Sequence, residues 1–256
     1  MIAMSRNVRR LLNLARLRSH GIDDPQGQIL GDTPMGTWLK ALVFDPEVRH
    51  VVEIGTWKGL GSTILLHSAA LQRPERPEVM SLEANVEFFH IAQKNVPDDG
   101  VVNIVLGSIV EQADLDTADL SPQEKLWLES DLAAISSVPK VLDELPREIS
   151  LLLLDGGEFS SYAEFAKLEQ RLTKWVVLDD IFLRKNRRVH AELASKQEWS
   201  LVTAGSDRHG WAVWMKDQNK PSGLPVHGQD VGSSSRPKDS VDAPANLAAQ
   251  VPESIS

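Results

Sequence analysis

The chain contains no cysteine, which excludes disulfides, thiolate metal sites and cysteine nucleophiles. No segment approaches the roughly 20 consecutive apolar residues of a membrane span. The net charge of -9 disfavours a general nucleic-acid-binding protein, which normally carries a positive field. The basic N-terminus lacks an apolar segment followed by a small-residue cleavage site, which argues against a secretion signal. We therefore expect a cytoplasmic protein with no membrane partner and no nucleic-acid partner.

A length of 256 residues with 42% hydrophobic content allows one large α/β domain with appendages. We place this domain at residues 25–216. Residues 1–24 hold a predicted basic amphipathic helix, which packs on the domain or a second copy, or contacts an anionic substrate or partner. Residues 217–256 lack aromatic residues and are rich in proline, serine, glycine and alanine, which predicts a disordered tail.

Apolar runs alternate with helical patterns along the domain, which predicts a mostly parallel sheet with helices on both faces. Thr33 and Pro34 are typical of a helix start, and this helix should run to Leu42. The connector 206–210 is too short for a helical crossover, so the last two strands should form an antiparallel hairpin. The predicted strands are His50–Glu53, Val79–Glu83, Val102–Leu106, Ile149–Asp155, Trp175–Asp179, Ser200–Thr203 and Trp211–Lys216. The other predicted helices lie near Leu60–Leu71, Val86–Asn95, Tyr162–Leu172 and Lys185–Ser195.

Residues 116–148 form an insertion between the third and fourth strands. A capping box at Ser121 and Glu124 predicts a helix there. The insertion either covers the edge of the sheet or helps to shape a substrate pocket.

The most informative stretch is 51–62, where a buried strand turns on glycines into a helix. Such a turn lets a ligand approach the backbone and exposes the N–H groups of the helix end. The glycine spacing is not that of a dinucleotide fingerprint, which makes an NAD-dependent dehydrogenase less favoured. Glu53, just before the first glycine, would repel a pyrophosphate but could hold a positively charged ligand such as S-adenosylmethionine (SAM).

From Thr33 to Lys216 the chain resembles the class I SAM-dependent methyltransferases. Four segments carry the resemblance in the family's order: 53–59, 81–83, 151–157 and 176–180. The resemblance implies a Rossmann-like α/β fold with a seven-stranded, mostly parallel sheet and an antiparallel last strand. It also implies that SAM is the cofactor.

Within this resemblance, Glu53 lies near the methionine end of the cofactor, and Glu83 accepts both ribose hydroxyls. Ala84 packs on the adenine, and Ser108 contacts the adenine or is only a turn residue. Whether Gly61 or Ser62 faces the cofactor carboxylate stays open, because this turn is one residue longer than in the commonest metal-dependent relatives. The expected cofactor-binding residues are Glu53, Gly55, Thr56, Trp57, Gly59, Gly61, Ser62, Glu83, Ala84, Ser108 and Asp155.

Asp155, Asp179 and Asp180 lie at the carboxyl ends of two predicted strands that should be neighbours in the sheet. Carboxylates at adjacent strand ends repel one another unless a cation lies between them, and oxygen ligands suit Mg²⁺, Ca²⁺ or Mn²⁺. The resemblance to catechol and caffeoyl-coenzyme-A O-methyltransferases implies such a metal at these positions, where it would lower the pKa of a substrate hydroxyl. Alternatively, Asp155 touches only the cofactor, and the other two cap a helix or meet solvent.

Glu158 departs from the catechol-type pattern, which has a lysine there. It could serve as the base, as a metal ligand or only as a surface residue. We predict the catalytic set Asp155, Glu158 and Asp180.

A second capping box is predicted at Ser161 and Glu164. His209 is either solvated or part of the substrate site, and the basic cluster Arg184, Lys185, Arg187 and Arg188 is either a solvated helix face or an attractor of an anionic substrate group.

The predicted activity is SAM-dependent methylation, on the oxygen of a small hydroxylated metabolite or sugar, with divalent-metal assistance. The methyl acceptor is the expected partner, and a homodimer is compatible with the pattern. Two alternatives are a hydroxylase-like enzyme on the same fold and a non-catalytic cofactor-binding scaffold subunit.

Overall fold

The computed structural model of the protein describes residues 28–217. The predicted basic helix in 1–24 and the predicted disordered tail lie outside these residues, apart from Asp217. Within 28–217, no helix is both long enough and apolar enough to cross a membrane.

The described residues alternate helices and strands, largely as the sequence predicts. The helices are α1 (Pro34–Val43), α2 (Ser62–Gln72), α3 (Val86–Asn95), α4 (Pro122–Ser136), α5 (Ser161–Leu168) and α6 (Arg184–Ser195). The strands are β1 (His50–Ile54), β2 (Glu78–Glu83), β3 (Val102–Leu106), β4 (Ile149–Leu154), β5 (Leu172–Asp179), β6 (Trp199–Gly205) and β7 (Trp211–Lys216). Short 3₁₀ turns occur at Gln112–Asp114, Leu142–Glu144 and Glu169–Arg171.

One seven-stranded sheet runs in the order β3-β2-β1-β4-β5-β7-β6. The first five strands are parallel, and β7 is antiparallel to both of its neighbours. The predicted hairpin and reversed last strand are therefore confirmed. Because the order reverses direction at β1 and β4, the carboxyl ends of these strands open a crevice, the usual ligand position in such sheets.

The sheet is covered on both faces, and β4 shows this most clearly. All six of its residues are buried. Leu152 and Leu154 belong to one core cluster, whereas Leu151 and Leu153 belong to another. Since successive side chains of a strand point to opposite faces, the continuous leucine run indicates helices on each side.

The start of α5 differs from the prediction. Ser160, not Ser161, precedes the helix, and the side chain of Ser161 instead donates to the Gly157 carbonyl at 3.1 Å. The predicted capping box is therefore wrong. The helix begins one residue early, so Glu164 lies beyond the capping position and is buried. The helix also ends at Leu168, four residues before the predicted Leu172, which instead opens β5.

The first turn of α6 is bound to the ends of two strands by Asn186. Its side-chain amide donates to the Leu154 carbonyl at 2.9 Å and to the Asp179 carbonyl at 2.6 Å. Asn186 is fully buried, so these bonds are shielded from water. They fix the helix start against the carboxyl ends of β4 and β5.

We expect Asn186→Ala to lower the free energy of unfolding by about 2 to 4 kcal/mol, because two buried carbonyls lose their donor. Urea denaturation followed by circular dichroism measures this loss. The control is Arg187→Ala, at the exposed neighbouring position of the same helix, which should change stability little. Equal effects of the two substitutions would contradict this role of Asn186.

Candidate functional site

A cavity of about 480 Å³ opens at the carboxyl ends of β1, β2 and β4. Its walls come from the glycine turn after β1, the end of β2, the loop after β4, and helix α4 of the insertion. Of the two roles that the sequence leaves open for the insertion, the structure favours the pocket wall. The predicted cofactor-binding residues that line the cavity are Gly55, Trp57, Glu83, Ala84, Ser108 and Asp155.

The glycine turn approaches β4 so closely that only glycine fits at position 55. Gly55 has a φ of +100°, and a Cβ there would lie 2.2 Å from the Asp155 carbonyl oxygen. Gly59 also has a positive φ, +73°, and packs against Val96 and Ala92 of the α3 region. Both positions are therefore constrained by the packing of the turn against its neighbours, and Gly55 also lines the cavity.

Glu53 lies beneath this turn and is absent from the cavity wall. Its Oε2 accepts hydrogen bonds from Thr63 at 2.7 Å and from Ser81 at 2.5 Å, and the residue is fully buried. Burial raises the pKa of Glu53, against the effect of the nearby hydroxyls. Oε1 has no hydrogen-bond partner among the described residues. In this geometry the Glu53 carboxylate connects β1 to Ser81 of β2 and to Thr63 in the first turn of α2.

A small recess of about 20 Å³ continues the cavity along the turn. Thr56, Gly61 and Ser62 line it, together with Gly55, Trp57 and Asp155, and Gln28 and Ile29 close it. The structure therefore places both Gly61 and Ser62 at the same recess.

Glu83 ends β2 with both carboxylate oxygens turned to the glycine turn and the cavity. Oε2 accepts from the Trp57 N–H at 2.6 Å, and Oε1 accepts from the Asn85 N–H at 2.8 Å. Burial raises the pKa of Glu83 to about 7, although these backbone donors oppose the rise. A carboxylate has about four acceptor positions, so Glu83 can accept further donors from a ligand.

Ala84 and Ser108 lie on the same side of the cavity. The Ser108 hydroxyl donates to the Val110 carbonyl at 3.1 Å and accepts from the Val110 N–H at 3.2 Å. Its main chain forms a bridge to Lys140 in the insertion. These bonds favour the alternative in which Ser108 is a turn residue, although its surface still contributes to the wall.

Two carboxylates that sequence analysis did not select, Asp131 of α4 and Glu164 of α5, also line the cavity. Asp131 Oδ2 and Glu164 Oε2 are buried, with no hydrogen-bond partner among the described residues. Burial raises the pKa of both side chains, that of Glu164 to about 7. The sequence pattern assigns Glu164 only to a capping box, and it does not distinguish Asp131 from a solvated helix position.

The second half of the site is the acidic cluster of Asp155, Asp179 and Asp180. One oxygen from each lies within 4.8 Å of the others, which confirms the predicted proximity of these strand ends. Asp179 is fully buried, while the Asp155 and Asp180 side chains are each 16% exposed.

Two cations of the chain already pair with this cluster. The Lys185 ammonium lies 2.5 Å from Asp155 Oδ1 and 3.1 Å from Asp180 Oδ2. Arg208 donates to Asp179 Oδ2 at 2.6 Å. Burial raises the pKa of Asp155, and the Lys185 charge opposes that rise. The donor types fit a hard divalent cation, but the space between Asp155 and Asp180 is filled by Lys185.

The other predicted site residues lie around this cluster. Glu158 Oε1 accepts from the Lys185 N–H at 3.3 Å, and burial raises the pKa of this carboxyl. His209 is 65% exposed, with Nδ1 3.4 Å from Asp180 Oδ1. Arg184 pairs with Asp116 and Glu124 of the insertion, and Arg188 lies over the ring of Tyr162, whereas Arg187 is exposed.

Lys185 therefore does not lie on a solvated helix face, which was one of the two alternatives for the basic cluster to which it belongs. Its side chain is only 10% exposed. The sequence contains an indication that Lys185 has an acidic partner. A helix N-terminus disfavours positive charge, and the first turn of α6 contains no acidic residue that could offset the charge of this lysine. A lysine at that position needs a compensating anion, which the strand-end carboxylates supply.

The backbone around the site contains unusual conformations. Four non-glycine residues among those described have a positive φ, and three of them contact the site: Trp57 at 48°, Asp180 at 55° and Arg208 at 60°. The left-handed region is sparsely populated by residues other than glycine, and least by bulky ones. Such conformations cluster at functional sites, where the surrounding structure holds them.

No family model matches the sequence, and no curated protein is significantly similar to it. Among solved structures, an O-methyltransferase from Bacillus cereus, in complex with SAH, is 17% identical with a TM-score of 0.50, over 84% of this chain and 93% of that one. A Staphylococcus aureus protein named as a caffeoyl-CoA O-methyltransferase is 16% identical with a TM-score of 0.51, over 83% of this chain and 100% of that one. At these identities the likeness establishes the fold, so the chain has the Rossmann-like α/β fold expected from its sequence.

Proposed function

We propose that the protein is a SAM-dependent methyltransferase acting on the oxygen of a small hydroxylated metabolite or sugar. The observation that carries the proposal is the cavity itself. It joins Glu83, at the end of β2, to Asp155 of the acidic cluster beyond β4, across the glycine turn that begins at Gly55. The fold shared with the Bacillus cereus O-methyltransferase, whose structure contains SAH, supports the same activity.

The cofactor would follow the cavity from one end to the other. Its ribose would donate both hydroxyls to Glu83, which retains acceptor capacity beside its two backbone donors. Its adenine would lie between Ala84 and the α4 wall, and its methionine end would reach Gly55 and Asp155. The ammonium and sulfonium of SAM would then approach the acidic cluster, where three carboxylates against Lys185 and Arg208 leave one negative charge, which favours a cationic ligand.

The reaction would be an in-line displacement. The acceptor oxygen gives its proton to a carboxylate and forms a bond to the methyl carbon. The methyl–sulfur bond breaks, its electron pair stays on sulfur, and S-adenosylhomocysteine leaves as a neutral thioether. Of the predicted catalytic residues, Glu158 and Asp180 are our candidates for the proton acceptor, because burial raises the pKa of Glu158 and the Asp180 side chain is partly exposed.

The acceptor would be small because the cavity that it shares with the cofactor has a volume of about 480 Å³ and is bounded by helix α4 and the loop after β4. Divalent-metal assistance, expected from the sequence, is not part of this proposal because Lys185 fills the space between Asp155 and Asp180.

Calorimetric titration with SAM and S-adenosylhomocysteine tests the proposal, followed by detection of S-adenosylhomocysteine release with hydroxylated acceptors. Micromolar binding and acceptor-dependent release are expected. Binding without turnover on any acceptor would favour a scaffold subunit. Absence of binding to both compounds would exclude the proposed activity, and dependence on an oxidant would favour the hydroxylase-like alternative.

Glu83→Ala should weaken S-adenosylhomocysteine binding by about 10- to 100-fold, because hydrogen bonds to a charged group contribute about 1.5 to 3 kcal/mol. The matched control is Glu87→Ala, an exposed glutamate in the first turn of α3. Calorimetry of both variants, with circular dichroism as a check of folding, measures the difference. Equal affinities would remove Glu83 from the cofactor site.

The same residue predicts a pH dependence. With its pKa near 7, Glu83 is largely protonated at about pH 6, but ribose hydroxyls donate to the ionised form. Affinity should therefore rise between about pH 6 and pH 8, with proton release on binding below the pKa. Titrations in two buffers of different ionisation enthalpy count the protons released. Glu83→Gln should release fewer protons than the wild type, and identical counts would assign the titration to another group.

A further inference from the structure

We propose that the Lys185 ammonium is the resident cation of the acidic cluster, occupying the position at which Asp155 and Asp180 would otherwise bind a divalent metal ion. The proposal concerns the charge of the cluster and holds whichever methyl acceptor the protein uses. It begins with geometry: one ammonium bridges Asp155 Oδ1 at 2.5 Å and Asp180 Oδ2 at 3.1 Å.

Two positively charged side chains of the protein nearly balance the negative charges of the acidic cluster. Three carboxylates face Lys185 and Arg208, which leaves one negative charge among these five groups. A divalent ion added to the same groups would leave an excess of one positive charge. It would also lie within a few ångströms of the Lys185 ammonium, where repulsion in a partly buried site is strong.

Lys185 cannot easily leave this position. Its side chain is 10% exposed, and its backbone N–H donates to Glu158. The adjacent Asn186 binds the carbonyls of Leu154 and Asp179, the residues that directly precede Asp155 and Asp180. The backbone at the start of the lysine side chain is therefore fixed relative to both carboxylates that the ammonium bridges.

The lysine supplies the positive charge itself. An alkyl ammonium is a cation at neutral pH, and here it lies between two carboxylates. Asp155 and Asp180 are held together without any ion from solution.

Removing the charge should convert the cluster into a metal site. Lys185→Met keeps most of the apolar stem and deletes the ammonium. We expect this variant to bind Mn²⁺ about tenfold more tightly, or better, than the wild type, since a neighbouring positive charge is lost from a partly buried site. The gain should disappear when Asp180→Asn is added. Electron paramagnetic resonance of free Mn²⁺, in titrations without cofactor or acceptor, measures the affinities.

Two controls separate this effect from general loss of a lysine. Lys185→Arg keeps the charge and should bind Mn²⁺ as weakly as the wild type. Lys167→Met removes a lysine of α5 that pairs with Asp114 at 2.9 Å outside the cluster, and it too should leave Mn²⁺ binding unchanged.

A tight Mn²⁺ site in the wild type that Asp180→Asn abolishes would overturn the proposal. So would a Lys185→Met variant that folds, by circular dichroism, but binds Mn²⁺ no better than the wild type. If Lys185→Met does not fold, Lys185→Gln replaces it, and the wild-type titration still decides against the proposal when it finds the site. Because SAM is absent from these titrations, their outcome is independent of the proposed methyl transfer.

Discussion

Mutual repulsion of three carboxylates at the ends of β4 and β5 is the constraint on which the site depends. The chain offsets it with Lys185 from α6 and Arg208 from the connection between β6 and β7. Both cations come from segments that follow β5 in the sequence. Arg208 also donates to the Gln28 carbonyl, so the segment before α1 joins the same network. The cluster is therefore assembled only when distant parts of the described domain are in place.

The two halves of the site are linked through the backbone at one point. The Asp155 N–H donates to the Ile54 carbonyl at 2.9 Å, next to the close approach of Gly55 to the Asp155 carbonyl. The turn that faces the proposed cofactor and the strand end that carries the acidic cluster therefore share a junction without intervening side chains. Movement of one would displace the other, since packed backbone leaves no space to absorb it.

The fold was predictable because its signals are local and repeated. The leucine run of β4, the cap at Thr33 and the short connector before Trp211 each specify an element without knowledge of its neighbours. The proximity of Asp155 to Asp180 also followed, since parallel strands end at one edge of the sheet. The sequence could not specify which side chains of the basic run are buried. Lys185 and Arg187 both belong to this run, but the packing of α6 on the strand ends buries Lys185 and leaves Arg187 exposed.

Asp131 and Glu164 escaped prediction for a related reason. Their burial depends on how α4 and α5 close over the cavity, which is a long-range property of the fold. The start of α5 shows that a helix boundary is also hard to predict. Ser160 and Ser161 are both acceptable residues before a helix, and in the structure the helix starts after Ser160. The sequence thus predicted which strand ends would meet, whereas the partners of the charges were decided by packing.

The residues of the site that have a left-handed backbone conformation affect how substitutions would change the stability and the function of this protein. Trp57, Asp180 and Arg208 each occupy a conformation that glycine adopts more readily. Natural proteins are held only above a threshold of stability, and strained positions are where stabilising substitutions are easiest to find. Selection for heat resistance alone would therefore tend to replace these three side chains, and in doing so would dismantle the wall of the cavity and the charge balance of the cluster. Variants that keep them under such selection would mark the strain as a requirement of function.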